Sequence, residues 1–149
     1  MSRPKKLLYL KDHQLKEYIE KIFNGYRETV ADAKNVLDKH SLGTAHNKVI
    51  HLISLYEGIT ITTLLRKLKV TKQSLNRVLR DLIKSKMIKQ IKDESDTRKK
   101  NLFLDKEGKI FFEAVYSSQR KRIFNALKNS SSDSVIKFKE VLKKIIDGK

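Results

Sequence analysis

The chain has 149 residues, a formal net charge of +17 and no cysteine. That length is enough for one domain with a buried core, and the lack of cysteine excludes disulfides, thiol nucleophiles, thiolate zinc sites and thiol-based redox sensing. So large an excess of positive charge predicts a polyanionic partner, either nucleic acid or an acidic membrane surface, with a general surface bias as the plain alternative.

Helix breakers are scarce, with one proline and five glycines, so the chain is expected to be mainly helical, in the α+β class. Apolar residues at helical spacing predict a first helix over residues 11–38, which Leu42-Gly43 ends. A second helix is predicted over about 45–56, with Thr44 as its cap.

Two shorter helices are predicted in the middle of the chain. The first begins at Thr60 or Thr62 and ends near Leu68, and the second, over residues 71–85, is capped by Thr71. The second helix has an amphipathic pattern, with its apolar residues at i, i+3, i+4, i+7 and i+8: Leu75, Val78, Leu79, Leu82 and Ile83. We expect Leu64, Leu68 and Val70 to lock the two helices together.

A β-hairpin is predicted next, and we call residues 87–104 the wing. Its strands are 87–91 and 102–104, and a polar tip over 92–100 joins them. Positive charge is concentrated here and in the preceding helices, because residues 66–100 hold thirteen Lys and Arg against four acids, a net of +9.

Two helices complete the chain. Asp105 is expected to cap a helix that runs to about Leu127, and Ser132 or Asp133 to cap the last one. One small domain cannot cover the apolar stripes of all the long outer helices, so we predict a two-fold dimer in which the terminal helices pack against their copies. The expected interface residues are Leu15, Tyr18, Ile19, Ile22, Val135, Phe138, Leu142 and Ile145.

A helix–turn–helix followed by a β-wing is the order of elements in a duplex-DNA reader. The helix over 71–85, the recognition helix, is expected to enter a major groove, where its first turn meets base edges. Gln73 or Asn76 could pair with adenine, and Arg77 has the planar fork that suits guanine or phosphate. The expected DNA contacts are Thr71, Lys72, Gln73, Ser74, Asn76, Arg77, Arg80, Arg98, Lys99 and Lys100.

The wing tip carries a specific pattern, Asp96-Thr97-Arg98. Arg98 is expected to reach into a narrow minor groove, where negative potential is concentrated, while Lys99 and Lys100 take phosphates. An acid in a DNA-facing loop is costly, so we interpret Asp96 as an intramolecular partner that holds Arg98 in shape.

These residues resemble the MarR family of winged-helix transcriptional regulators, over about Leu10 to Ile146. The resemblance rests on Ile59-Thr60 to Leu65, the run from Val70 to Leu82, Asp96-Thr97-Arg98, and Leu104-Asp105-Lys106-Glu107-Gly108. It implies a homodimer that binds a palindromic operator, with recognition-helix contacts from 71–80 and a minor-groove contact by Arg98. Many members of this family release DNA when a small, often aromatic or phenolic, ligand binds between the lobe and the dimer helices.

The resemblance also implies the domain organisation and the function. Residues 1–149 would form one MarR-like domain, with dimerisation helices over 11–40 and 106–147 around a winged-helix lobe over 44–104. The expected function is a ligand-responsive repressor. Lys86 departs from the family pattern, which usually has Gly after the recognition helix, so we expect that helix to close differently.

Other kinds of site find no support in the sequence. His46 and His51 are five residues apart, not the i, i+4 spacing that best shares a metal, and no phosphate loop or catalytic motif is present. We therefore predict no metal, no cofactor and no enzyme. No apolar run is long enough for a membrane span, and the apolar run within residues 1–10 is too short for a signal peptide, so a cytoplasmic protein is expected.

The predicted partners are double-stranded DNA, a second copy of the chain and, if it has an effector at all, a small molecule of unknown identity. Two rival functions stay open: a sequence-indifferent architectural or nucleoid-associated DNA-binding protein, which the high charge favours, and a basic adaptor for membranes or proteins. RNA binding is disfavoured because the aromatic residues fall at core spacing and offer no stacking platform.

Overall fold

The computed structural model describes residues 8–149, so most of the N-terminal segment considered for a signal peptide lies outside it. Within those residues, no helix is both long and apolar enough to cross a membrane. A 3-10 turn at Leu8–Leu10 precedes the elements α1 Asp12–Ala31, α2 Lys34–Lys39, α3 Thr44–Leu55, β1 Ile59–Thr60, α4 Ile61–Leu68, α5 Lys72–Lys84, β2 Ile88–Lys92, β3 Lys100–Leu104, α6 Lys106–Lys128 and α7 Ser132–Asp147. The mainly helical winged-helix fold is confirmed.

The predicted helix over 11–38 is wrong in one respect, because it is two helices with a break at Asp32 and Ala33. Ala33 and Leu37 are buried in the core, whereas no residue of α1 is buried. Arg122 of α6 holds the break through a two-pronged contact with Asp32, Nε to Oδ2 at 2.5 Å and Nη2 to Oδ1 at 3.1 Å. This hydrogen bonding keeps the pKa of Asp32 below its ordinary value.

The two predicted strands of the wing pair as β2 and β3, and β1, which was not predicted, extends them to a three-stranded antiparallel sheet in the order β1-β3-β2. Ile59 of β1 pairs with Leu102, and Ile88 of β2 pairs with Leu104. Strand β1 has two residues, too few for an alternating pattern to show in the sequence. The sheet packs against the helices around one buried apolar core, whose largest fully buried side chains are Phe111, Ile50, Ile53, Leu64, Leu75, Leu82, Ile88 and Leu102.

The helices of the lobe begin at polar caps. Thr60 and Thr71 accept the backbone N–H three residues further on, at 3.2 and 3.1 Å, as predicted. For α3 the prediction was wrong, since Gly43 and not Thr44 is the cap residue. Gly43 has no side chain to offer, and its own N–H donates to Nδ1 of His46 at 3.1 Å.

The first and last helices, α1 and α7, leave their apolar stripes uncovered in the single chain. Asp105 caps α6 as expected, by accepting the N–H of the next residue at 2.9 Å. The last helix is capped by Ser131 and not by Ser132 or Asp133, because the Ser131 hydroxyl accepts the N–H three residues on. Neither α1 nor α7 has a buried residue. Two of the expected interface residues, Val135 and Leu142, are half-buried. The others are exposed: Leu15, Tyr18, Ile19, Ile22, Phe138 and Ile145.

The end of α5 corrects another expectation. Lys86 has a φ of 59°, the left-handed conformation that a glycine would adopt there, so the helix closes as it would with glycine at this position. The N–H of Met87 donates to the carbonyl of Leu82 at 2.9 Å, and the N–H of Lys86 to that of Ile83 at 3.0 Å, the pair of bonds of a Schellman motif.

Lys86→Gly is therefore expected to stabilise the protein. Relief of the left-handed strain stabilises the folded protein by about 1–2 kcal/mol. The greater conformational entropy of glycine in the unfolded state offsets roughly half of that gain. We expect a net gain of about 0.5–1 kcal/mol in the free energy of unfolding, measured by urea denaturation. Lys84→Gly removes the same side chain from helical backbone and should instead cost about 1 kcal/mol; equal losses in both variants would contradict the argument.

Candidate nucleic-acid interface

One face of α5 is apolar and buried, and the other is polar and solvent-exposed. Leu75, Leu79 and Leu82 lie in the core and Val78 packs against it, so the polar side chains between them point outward. All ten residues predicted to contact DNA are exposed: Thr71, Lys72, Gln73, Ser74, Asn76, Arg77, Arg80, Arg98, Lys99 and Lys100. An exposed face of this composition can hydrogen-bond base edges and pair with phosphates.

Helix α5 is held at its start by a tight turn from α4. Lys69 takes a left-handed conformation with a φ of 53°, and Thr71 then caps α5. Leu64 is fully buried and Leu68 is half-buried, as expected for a lock between the helices. Val70 is 46% exposed, so its expected part in that lock is wrong. The turn residue next to the cap therefore faces solvent, beside the start of α5.

A second contact ties α5 to α3. His46 accepts the N–H of Gly43 through Nδ1, so the proton of its neutral ring lies on Nε2, which is 3.0 Å from Oδ2 of Asp81. The imidazole thus joins the start of α3 to the middle of α5. The sequence analysis considered His46 only as a metal ligand, and no local pattern could reveal this pair, since its members are 35 residues apart.

The wing tip holds the Asp-x-Arg pattern in a defined geometry. One oxygen of Asp96, Oδ1, accepts the backbone N–H of Arg98 at 3.1 Å and its Nε–H at 3.2 Å. The Asp96 side chain is 31% exposed, whereas that of Arg98 is 91% exposed. The guanidinium therefore projects into solvent while its base is tied to the wing.

Asp93 is a wing residue that the sequence analysis missed. Its pKa is lowered to about 2 by hydrogen bonds from the Ser95 hydroxyl and N–H, from the amide of Asn101, and from the N–H of Asp96. An Asp two residues before a Ser is a common turn pattern and would have been the signal for it.

A cleft of about 490 Å³ brings the two predicted DNA-reading elements together. Lys72 and Asn76 line it from the start of α5, and Arg98, Lys99 and Lys100 line it from the wing. Its remaining walls are the cap and first turns of α4: Thr60, Ile61, Thr62, Thr63 and Leu65. Gln73, Arg77 and Arg80 are not among the lining residues and lie exposed elsewhere on α5.

The part of the chain from residue 8 onward holds no group of three His, Asp or Glu side chains arranged to bind a metal ion.

Comparison with known proteins supports the resemblance to the MarR family. Residues 42–99 match the sequence profile of the MarR family. The HTH-type transcriptional regulator PetP of Rhodobacter capsulatus is 39% identical over 141 residues, which cover 95% of this chain and 85% of PetP.

Solved structures share the fold at lower identity. The DNA complex of MepR from S. aureus is 21% identical, with a TM-score of 0.67 over 89% of this chain and 96% of that one. S. aureus MarR in complex with salicylate and kanamycin is 20% identical, with a TM-score of 0.71 over 91% and 92% of the two chains. The winged-helix fold, the matching profile and the PetP relative together place this protein in the MarR family of HTH-type transcriptional regulators.

Proposed function

We propose that this protein is a sequence-specific transcriptional regulator that binds duplex DNA as a homodimer and represses transcription from a palindromic operator. The observation that carries the proposal is the shared cleft, in which Lys72 and Asn76 of α5 face Arg98, Lys99 and Lys100 of the wing. One basic surface thereby presents a helix sized for the major groove next to a loop sized for the minor groove.

Sequence recognition falls to the exposed face of α5. Gln73 and Asn76 carry amides that pair bidentately with adenine, and the Arg77 fork fits the two acceptors of guanine. Thr71, Ser74 and Arg80 lie beside them and suit phosphate contacts that fix the register of the helix.

The wing supplies the second set of contacts. Arg98 enters the minor groove, where a run of A·T pairs narrows the groove and strengthens its negative potential. Lys99 and Lys100 follow it directly and reach phosphates. Asp96 orients Arg98, so a residue of the wrong charge for DNA still contributes to binding.

Dimerisation is supported by the uncovered stripes of α1 and α7, which lie in the two segments proposed to dimerise, residues 11–40 and 106–147 of a single MarR-like domain over 1–149. A two-fold dimer covers both stripes and sets the recognition helices one turn of B-DNA apart, about 34 Å. The MepR structure with DNA supports the DNA-bound form by analogy.

A small-molecule effector would act by shifting the dimer towards a spacing of its lobes that cannot bind DNA. Support comes from S. aureus MarR, which was solved with salicylate and kanamycin. As a regulator of genomic DNA the protein has no enzymatic role and works in the cytoplasm.

The test is selection of bound sequences from a random duplex pool at near-physiological salt. We expect a palindrome whose half-sites lie about one helical turn apart. Arg77→Ala and Arg98→Ala should each weaken binding to it by roughly 5- to 150-fold for each half-site, because each arginine loses a groove contact worth about 1–3 kcal/mol in each protomer. A pool that binds tightly but enriches nothing would contradict sequence-specific recognition.

The alternative, a sequence-indifferent architectural protein, is favoured by one observation, the net charge of +17. It predicts equal affinity for unrelated duplexes and no effect of Gln73→Ala or Asn76→Ala, because phosphate contacts are insensitive to sequence. The same selection distinguishes the two functions.

A further inference from the structure

Only two side chains of the wing tip, residues 92–100, are partly buried, and both are acids: Asp93 and Asp96. The other seven residues of the tip are exposed. Removing acids from a surface that meets DNA would strengthen phosphate binding by charge alone. The two partly buried acids of this tip are therefore better explained by the hydrogen bonds that they accept than by their negative charge.

Asp93 organises the tip with both carboxylate oxygens. Its Oδ1 accepts the Ser95 N–H at 2.8 Å, the Ser95 hydroxyl at 2.6 Å and the Asp96 N–H at 3.2 Å. Its Oδ2 accepts the side-chain amide of Asn101, on β3, at 3.3 Å. One carboxylate thus fixes the turn at its start and joins it to the opposite strand.

The backbone closes around this carboxylate. The N–H of Asp93 donates to the carbonyl of Lys99 at 3.0 Å, and the N–H of Lys99 donates to that of Asp96 at 2.9 Å. The N–H and the carbonyl of Asp96 are therefore both hydrogen-bonded within the turn. Its side-chain Oδ1 in turn accepts the N–H and Nε–H of Arg98. The contacts run in sequence, from Asp93 to Asp96 to Arg98.

We infer that Asp93 is a positioning residue for DNA recognition: it builds the wing turn that presents Arg98 to the minor groove. This inference rests on the proposed function, in which Arg98 is the minor-groove contact. A turn formed before DNA arrives spares the complex the cost of ordering the loop, which is about 1 kcal/mol or more for each residue fixed.

Three variants distinguish the loss of the turn's hydrogen bonds from the loss of a negative charge. Asp93→Ala removes the charge and every acceptor of the turn. Asp93→Asn removes the same charge but keeps Oδ1 for the bonds from Ser95 and Asp96. Glu94→Ala removes the neighbouring acid, which makes none of the hydrogen bonds or ion pairs found in residues 8–149.

The first measurement is amide hydrogen exchange without DNA. We expect Asp93→Ala to speed exchange at Asp96 and Arg98 by about tenfold or more, since the acceptors that protect these amides are lost or released. Asp93→Asn should stay within about threefold of the wild type, and Glu94→Ala should change nothing. Unchanged protection of the Arg98 amide in Asp93→Ala would overturn the inference.

The second measurement is the ratio of affinities for two short duplexes, one with an A·T run and the other with G·C in its place. Removing a charge alters both affinities alike, so the ratio isolates minor-groove recognition. We expect a wild-type ratio of about ten that falls towards one in Asp93→Ala and Arg98→Ala but persists in Asp93→Asn and Glu94→Ala.

The outcomes distinguish the two claims. A wild-type ratio kept by Asp93→Ala, while Arg98→Ala loses it, overturns the positioning role and leaves the proposed function intact. A ratio near one in the wild type contradicts the minor-groove contact of Arg98 instead, and the exchange rates then decide whether Asp93 holds that residue.

Discussion

Gly108→Ala is expected to cost about 3 kcal/mol or more in the free energy of unfolding, although alanine is the better helix former. A Cβ at this position would lie 1.9 Å from the carbonyl oxygen of Met87 and 2.8 Å from its carbonyl carbon. That oxygen also accepts the N–H of Asp105 at 2.9 Å, so it is held by the start of α6 itself. Backbone atoms tied in this way cannot yield as a flexible side chain would.

Thermal or urea unfolding of the purified variant checks this expectation. Ala114→Gly, at an exposed position of the same helix, measures the helix propensity alone and should cost about 1 kcal/mol. If propensity decided the outcome, Gly108→Ala would gain a similar amount. A variant as stable as the wild type would mean that the backbone at Met87 moves away from α6 easily, contrary to the close contact between Met87 and Gly108.

Gly108 also shows how far the sequence predicts this fold. The pattern from Leu104 to Gly108 indicates the start of a helix and a family, and both are confirmed. The reason for the glycine is a contact with the backbone of Met87, which lies just before β2 and about twenty residues earlier. Helical periodicity and caps depend on neighbours along the chain, so α4, α5 and α6 were predictable, whereas the break after α1 depends on Arg122 and was not.

The candidate site likewise combines features that the sequence predicts with features that only the fold reveals. The basic face of α5 and the Asp96–Arg98 pair are local features, and their residue types and spacing are enough to find them. The link between His46 and Asp81 joins two helices and could not be found without the fold. Asp93 lies between these cases, because its turn is local but its bond to Asn101 requires the pairing of β2 with β3.

The largest effect on binding is expected from salt. Six of the predicted DNA-contacting residues in each protomer are cationic: Lys72, Arg77, Arg80, Lys99, Lys100 and Arg98. If a dimer places about 6–10 of them on phosphates, the affinity for DNA should fall roughly 10³- to 10⁵-fold between 50 and 200 mM salt. Released counterions cause this loss, so a plot of log affinity against log salt should be linear, with a slope of about −5 to −9.

The slope also locates the contacts. Lys99→Ala/Lys100→Ala removes up to four phosphate contacts from a dimer and should make the slope shallower by about 3–4, at about 0.9 for each contact. Lys143→Ala/Lys144→Ala removes the same charge from the end of α7, away from the wing in the sequence, and serves as the matched control. Equal changes in the two variants would mean that overall charge, and not the wing surface, holds the DNA. A change confined to the wing variant would instead assign the phosphate contacts to Lys99 and Lys100, beside Arg98.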